Sequence, residues 1–174
     1  MIKLFIGIDN GVTGTIAILG ETYSDFMLTP SKKEQDYCKK AQNISRVVFK
    51  DFKQILMNAM EKNGCDKTET MILMERPVVN PSPKMFRTSI CSSRAFENQL
   101  CAIEDLGIGY MICDSKDWQR IYLPKGTSGE QLKVKSKELG SRMFPQYSTL
   151  INKHKDADAL FIALYLKRKI KGEI

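Results

Sequence analysis

Apolar residues recur along this chain with two different spacings, and the changes between them mark out its elements. Residues 3–9 are nearly all apolar until the run closes on an acid, the pattern of a strand buried on both faces. Asn10-Gly11 is a turn signal, and residues 15–19 form a second apolar run. Gly20-Glu21 turns the chain again into residues 22–28, so the spacing predicts an antiparallel three-strand meander. Residues 31–42, with Lys32-Lys33 and Lys39-Lys40, read as a basic loop. From Ile44 the rhythm changes: Val47, Val48, Phe52, Ile55, Leu56 and Ala59 fall at helical spacing, and Asn63-Gly64 ends the helix.

Residues 71–74 make a fourth strand, which delivers Glu75, and the prolines at 77, 81 and 83 make residues 76–83 a loop. A helix is expected over 89–106 and a fifth strand over 107–113. Ser115 is a suitable N-cap for a short helix carrying Trp118. The loop 123–129 leads to a basic helix over 130–144, a polar linker follows Pro145, and a last apolar helix spans 156–171. There are no repeats and no low-complexity segments. Three antiparallel strands and a helix, then βαβα and a final helix, compose one α/β domain over residues 1–174. Its five-stranded mixed sheet flanked by helices has the element order of the ribonuclease H-like fold.

Composition narrows the partners. The chain has 174 residues, and its hydrophobic and charged fractions, 43% and 27%, are those of an ordinary globular domain. A net charge of +7 favours a polyanion, nucleic acid before an anionic membrane surface. The five cysteines (38, 65, 91, 101 and 113) are scattered, with no C-x-x-C pair. That argues against a disulfide framework or a zinc site and for a reducing compartment. Met1 leads directly into a strand rather than a signal peptide, and no apolar stretch reaches the roughly 18 residues of a membrane span. The expected location is cytoplasmic.

The chemistry sits in the acids. Asp9 ends the first strand and Glu75 the fourth, so neighbouring strands would bring both to one sheet edge. "HKDADALFIALYL" adds His154, Asp156 and Asp158 at the mouth of an apolar helix. Taken singly, each acid has an ordinary use: Asp9 capping the Asn-Gly turn, Glu75 pairing with Arg76 or a lysine, Asp156 capping the last helix. Taken together, buried carboxylates without a cation are expensive, and acids from separate elements aimed at one place usually bind metal. Hard oxygen donors suit Mg²⁺ or Mn²⁺, and two such ions roughly 4 Å apart can hold both oxygens of an in-line phosphoryl displacement.

"IGIDNGVTGTIAIL" with Asp9, "MERP" with Glu75 and "DADALFIALY" with Asp158 resemble the RuvC-type Holliday-junction resolvases. "SSRAFENQL", "DSKDWQRIYLP" and "LKVKSKELGSRMFP" are similar to the segments these enzymes place between the second acid and the last helix. The resemblance covers nearly the whole chain and is greatest to phage-borne members, which act in the bacterial host cell; the chloroplast resolvases are more distant. It implies a Mg²⁺-dependent endonuclease that binds a four-way junction as a two-fold homodimer and nicks opposing strands. Asp9, Glu75 and Asp158 carry over as metal ligands. The fourth ligand departs from the pattern, because bacterial members place an acid or histidine where this chain has Lys155. Chloroplast members have a histidine four residues before the last acid, matched here by His154, the chain's single histidine. Residues four apart share a helical face, whereas those two apart lie nearly opposite. His154 is therefore favoured if the helix already runs there, and Asp156 remains open if it does not.

Junction phosphates call for Lys and Arg, and the suppliers nearest the acids are Lys84, Arg87, Lys116, Arg120, Lys125, Lys133, Lys135 and Arg142. Any one of them is equally at home on a solvated face. Phe86 stands where related resolvases insert an aromatic wedge, with core packing as its other use. Trp118 reads as core or loop packing rather than a base-stacking platform. Following the family, the helix over 89–106 supplies the dimer interface. Two rival readings keep the fold: a nuclease for other branched DNA or RNA–DNA hybrids, and an inactive DNA-binding relic, which the presence of all three acids disfavours. A sugar-kinase or actin-like ATPase shares the Asp-Gly-Thr turn but needs a second domain and phosphate loop, for which 174 residues leave no room.

Overall fold

β1 (Leu4–Ile8) sends Leu4, Ile6 and Ile8 into one layer and Phe5 and Gly7 into the other, as the period of a strand requires. The computed structural model describes residues 1–35, 43–77, 86–126, 129–154 and 156–174, with residues 86 and 87 described by backbone alone. β1 is the centre of a five-stranded sheet. β2 (Thr15–Leu19) and β3 (Ser24–Leu28) extend it antiparallel on one side. β6 (Thr70–Glu75) and β7 (Gly109–Cys113) extend it parallel on the other, in the order β3-β2-β1-β6-β7. The expected mixed sheet flanked by helices is present.

On the Leu4 face, α1 (Phe49–Asn63) and α2 (Phe86–Leu106) bury Phe52, Leu56, Ala59, Ala95, Phe96, Ala102 and Ile103 against the sheet. On the Phe5 face lie α3 (Ser115–Tyr122), α4 (Glu130–Met143), α5 (Ser148–His154) and α6 (Asp158–Ile170). α6 is buried almost all round, because α3 and α4 cover the side that the sheet does not. Leu160, Phe161, Ile162 and Leu166 each contribute roughly 1.5–3 kcal/mol through their burial. Phe161 is enclosed by the rings of Trp118, Tyr122 and Phe144 at 6.1, 5.2 and 6.4 Å. Among the described residues no helix is long and apolar enough to cross a membrane, and Cys65, Cys91, Cys101 and Cys113 are free thiols.

Several boundaries depart from the sequence reading. Residues 31–35, read as loop, form β4 (Ser31–Gln35), paired antiparallel with β5 (Asn43–Val47) in a separate two-stranded sheet. Ser-Lys-Lys-Glu-Gln has no apolar alternation to betray a strand; backbone pairing on a solvated edge makes it one. Ile44 and Val47 are buried from β5, and their separation of three residues imitates a helix that in fact starts at Phe49. α2 begins before Ser89, and α3 is capped by Asp114 rather than Ser115, with the Asp117 carboxylate accepting the Asp114 N–H at 3.0 Å. The linker after Pro145 folds into a 3-10 turn (Pro145–Tyr147) and α5, which buries only Ile151 and so shows no periodic stripe. The last helix starts at Asp158, two residues later than read, because Ala157 has left the helical region (φ −126°, ψ 25°). The Gly64 stop holds: that residue ends α1 in the left-handed conformation, φ 59°.

One contact sets where α6 lies. A Cβ on Gly7 would stand 2.3 Å from the carbonyl oxygen of Ala159 and 2.4 Å from the amide nitrogen of Ala163. Both obstacles are backbone, so neither can rotate away. Gly7→Ala is expected to cost at least ~2 kcal/mol, within the range for overpacking, and to show as a lower urea midpoint at unchanged slope. Wild-type stability in that variant would mean that α6 does not ride on β1 at this point.

Candidate metal centre

Asp9 follows β1 directly, and Glu75 is the last residue of β6. Since Ile8 pairs with Met74 in parallel register, the two acids are the next positions along neighbouring strands. Parity then decides their face. Phe5, Gly7 and Asp9 alternate with Leu4, Ile6 and Ile8, while Leu73 and Glu75 alternate with Ile72 and Met74, so both acids belong to the α6 layer. The turn behind Asp9 is tight. Its amide donates to Thr15 O at 3.1 Å and the Gly14 amide to Gly11 O at 3.2 Å, and a Cβ on Gly14 would meet Asp9 O at 2.1 Å.

α6, resting on Gly7, brings Asp158 to the same edge as its first residue. Asp156 precedes it in the non-helical link and accepts a hydrogen bond from the Asp158 backbone N–H. All four acids are half-buried. The carboxyl of Asp9 is raised well above the ordinary aspartate range by burial first, then by the charges of Asp158, Glu75 and Asp156. Burial and then Asp156 push Asp158 up to about 7. Glu75 and Asp156 are raised chiefly by burial, with Asp156 also acting on Glu75. Asp9 keeps some solvent access even though protein surrounds it densely.

Counter-charge is thin. Lys133 lowers Asp9, Asp156 and Asp158 through space. Among the described residues, no salt bridge reaches any of the four acids. Arg76, the sequence-level partner for Glu75, pairs with Asp114 instead at 3.5 Å. Nor are three His, Cys, Asp or Glu side chains among the described residues already gathered tightly enough to hold an ion. Repulsion acts over longer distances than coordination does, so the acids raise one another without closing on a single point. The donors are hard carboxylate oxygens, half-buried at one sheet edge, and this fits Mg²⁺ or Mn²⁺.

Two neutral donors steady the cluster, and neither role was read from the sequence. Trp118 Nε1 donates to Glu75 Oε2 at 2.9 Å. Ser136 Oγ, buried on α4, donates to Asp158 Oδ1 and accepts the Ala157 N–H at 3.1 Å. The trace of Ser136 in the sequence is a pair of small residues, Ser136 and Gly140, one turn apart and both buried on a helix rich in charge. They let α4 meet the link before α6, where a Cβ on Gly140 would fall 2.2 Å from that of Ala157.

His154 ends α5, and residues 156 and 157 separate it from α6. The shared helical face that favoured His154 over Asp156 therefore does not exist. Its positive form acts on Asp156. Of the basic candidates, Lys116, Arg120, Lys125, Lys133, Lys135 and Arg142 are all exposed. Lys116, Arg120 and Lys125 line one groove beside the α3–α4 loop, and Lys135 and Arg142 line the next. Arg120 is held by Asp117 at 3.3 Å and Lys135 by Glu138 at 2.8 Å. Lys84 lies outside the described residues, as do the side chains of Phe86 and Arg87.

With this geometry, the fold is that of RuvC, a ribonuclease H-like fold. The chain superposes on the Thermus thermophilus RuvC structure with a TM-score of 0.50 at 13% identity, over 97% of this chain and 96% of that one. For T. thermophilus RuvC in complex with Holliday junction substrate, the TM-score is 0.49 at 11% identity, covering 94% and 91%. No protein-family model and no curated protein matches the sequence.

A carboxyl whose pKa rises on folding costs nothing below its unfolded value, where both states are protonated. The cost grows as pH climbs and is complete above the folded value. For Asp158 that window runs from 3.8 to about 7. Metal-free Asp9→Asn is therefore expected to melt above wild type near pH 8, by a few degrees if ~1 kcal/mol is relieved, with the gap closing toward about pH 4. Calorimetric scans of both proteins across this range check the sign. An Asp9→Asn protein that melts below wild type at the upper end would contradict the repulsion.

Proposed function

We propose that this chain is a metal-dependent, structure-selective endodeoxyribonuclease that resolves four-way junctions by paired symmetric nicks. The observation that carries the reading is the set of mutually repelling carboxylates, Asp9, Glu75, Asp158 and Asp156, at the carboxyl ends of two parallel strands and the start of α6. The RuvC fold supports it, as does the net charge of +7 with Lys133 exposed and acting on three of the acids. Bound Mg²⁺ or Mn²⁺ supplies the positive charge that in-line attack of water on a phosphodiester requires. Asp9, Glu75 and Asp158 hold the ions. The fourth place falls between His154 and Asp156, and the action of Asp156 on the other three acids supports Asp156.

The remaining residues bind and orient. Lys133, beside the acids, meets the phosphate to be cut, while Lys116, Arg120, Lys125, Lys135 and Arg142 hold the flanking strands. Lys84, Phe86 and Arg87 are assigned to the junction on the sequence resemblance alone. Two cuts related by a two-fold axis need two copies, and α2, with Ile90 exposed, is the proposed homodimer interface.

The test is cleavage of a four-way junction against a flap, an RNA–DNA hybrid and a plain duplex, with Mg²⁺. Asp9→Asn, Glu75→Gln and Asp158→Asn are each expected to lose cleavage by more than the ~10–100-fold cost of removing an outer-sphere partner. Junction binding should persist, because no phosphate contact is removed. Asp156→Ala should join them and His154→Ala should not. Preferred cleavage of the hybrid or flap would move the substrate to the alternative reading, and turnover like wild type in any of the first three variants would end the assignment.

A further inference from the structure

Trp118 is fully buried on α3, yet its indole carries a polar N–H that must find an acceptor. The acceptor is Glu75 Oε2 at 2.9 Å, 43 residues away in sequence. The same ring stacks on Phe161 of α6, at 6.1 Å between centroids and 11° between planes. One side chain therefore touches both the carboxylate at the end of β6 and the helix that begins with Asp158. Its own placement follows from the sheet. Cys113 pairs with Glu75 at the end of β7, α3 starts two residues later, and its first turn delivers the indole back over Glu75.

We propose that Trp118 is the positioning residue of Glu75 for the divalent ion, and that its indole reports whether the ion is bound. The inference rests on the reading of Glu75 as a metal ligand. A glutamate has three side-chain torsions to lose on coordination, and a ligand held in place beforehand binds metal more tightly than a free one. The indole hydrogen bond engages one oxygen, Oε2, and keeps the carboxylate from swinging out to solvent. The stack on Phe161 fixes the indole itself and with it the spacing between Glu75 and the start of α6. When an ion draws charge from the Glu75 carboxylate, the hydrogen bond to the indole weakens. The chain has a single tryptophan, so all of its tryptophan emission comes from this contact.

The single tryptophan also permits a clean substitution. Protein made in a tryptophan auxotroph supplied with 3-benzothienylalanine keeps the fused ring and its stack but has sulfur in place of the N–H. Calorimetric titration with Mg²⁺ is expected to give a dissociation constant weakened by about tenfold or more, the cost of losing an outer-sphere partner, and Trp118→Phe should show the same loss. In the unmodified protein, indole emission should change saturably with Mg²⁺ at the concentration given by calorimetry, and Mn²⁺ should quench it. A benzothienyl protein that binds Mg²⁺ as tightly as the unmodified one would overturn the inference and leave the nuclease reading standing. Should that protein fail to fold, emission unmoved by Mg²⁺ while calorimetry records binding would overturn it equally. An unmodified protein that binds neither Mg²⁺ nor Mn²⁺ would remove both the inference and the metal-dependent reading.

Discussion

The approach of α6 to β1 is closer than any side chain larger than hydrogen allows at position 7, where a Cβ would lie 2.3 Å from a helix carbonyl. On the helix the facing residues are Ala159 and Ala163, so the contact is nearly backbone on backbone. Gly140 of α4 makes a comparably close approach to the Ala157 methyl. The start of α6 is thus held between sheet and helix by five positions where side chains are small or missing, Gly7, Gly140, Ala157, Ala159 and Ala163. Because packed interiors yield little, the direction of Asp158 is decided by these contacts and not by its own torsions. A bulkier residue at any of them would move a carboxylate without touching one.

Against that rigid frame stands a local instability. Four half-buried acids repel one another, and among the described residues Lys133, which opposes three of them, is exposed and acts at a distance. A fold selected for stability alone would not keep such a group, since burying like charges without partners is costly. The expense is local and the support is general: apolar residues on both faces of the sheet, and an α6 whose helix is buried nearly all round. Ser136 and Trp118 contribute neutral hydrogen bonds, which steady the acids without cancelling their charge. That leaves the negative potential available to a cation.

What was legible in the sequence followed from burial. The strands that cross the core, the stop at Gly64 and the acids at the ends of apolar runs all stand out, because each sits where hydrophobicity changes abruptly. The β4–β5 hairpin did not, since Ser31–Gln35 makes its hydrogen bonds at a solvated edge where no apolar face is needed. The start of α6 was misread because Asp156 and Ala157 are themselves tolerable in a helix. What breaks the helix there is tertiary, a link drawn in toward Ser136 and Gly140. That break removed the spacing argument for His154, which depended on one continuous helix, and left only the match to the chloroplast resolvases. Trp118 was read as packing, and it is packed; the hydrogen bond to Glu75 spans elements that no local pattern connects.

The centre also has a history in time. Asp9 and Asp158 come from opposite ends of the described chain, and what unites them is the docking of α6, the last helix, on β1, the first strand. During synthesis from the N-terminus, β1, β2 and β6 are all made before their covering helix exists. Until it arrives, the Phe5 face of the sheet is bare and only two of the acids can be neighbours. A nascent or truncated chain therefore has no complete acid cluster, and the four acids come together only as the core closes.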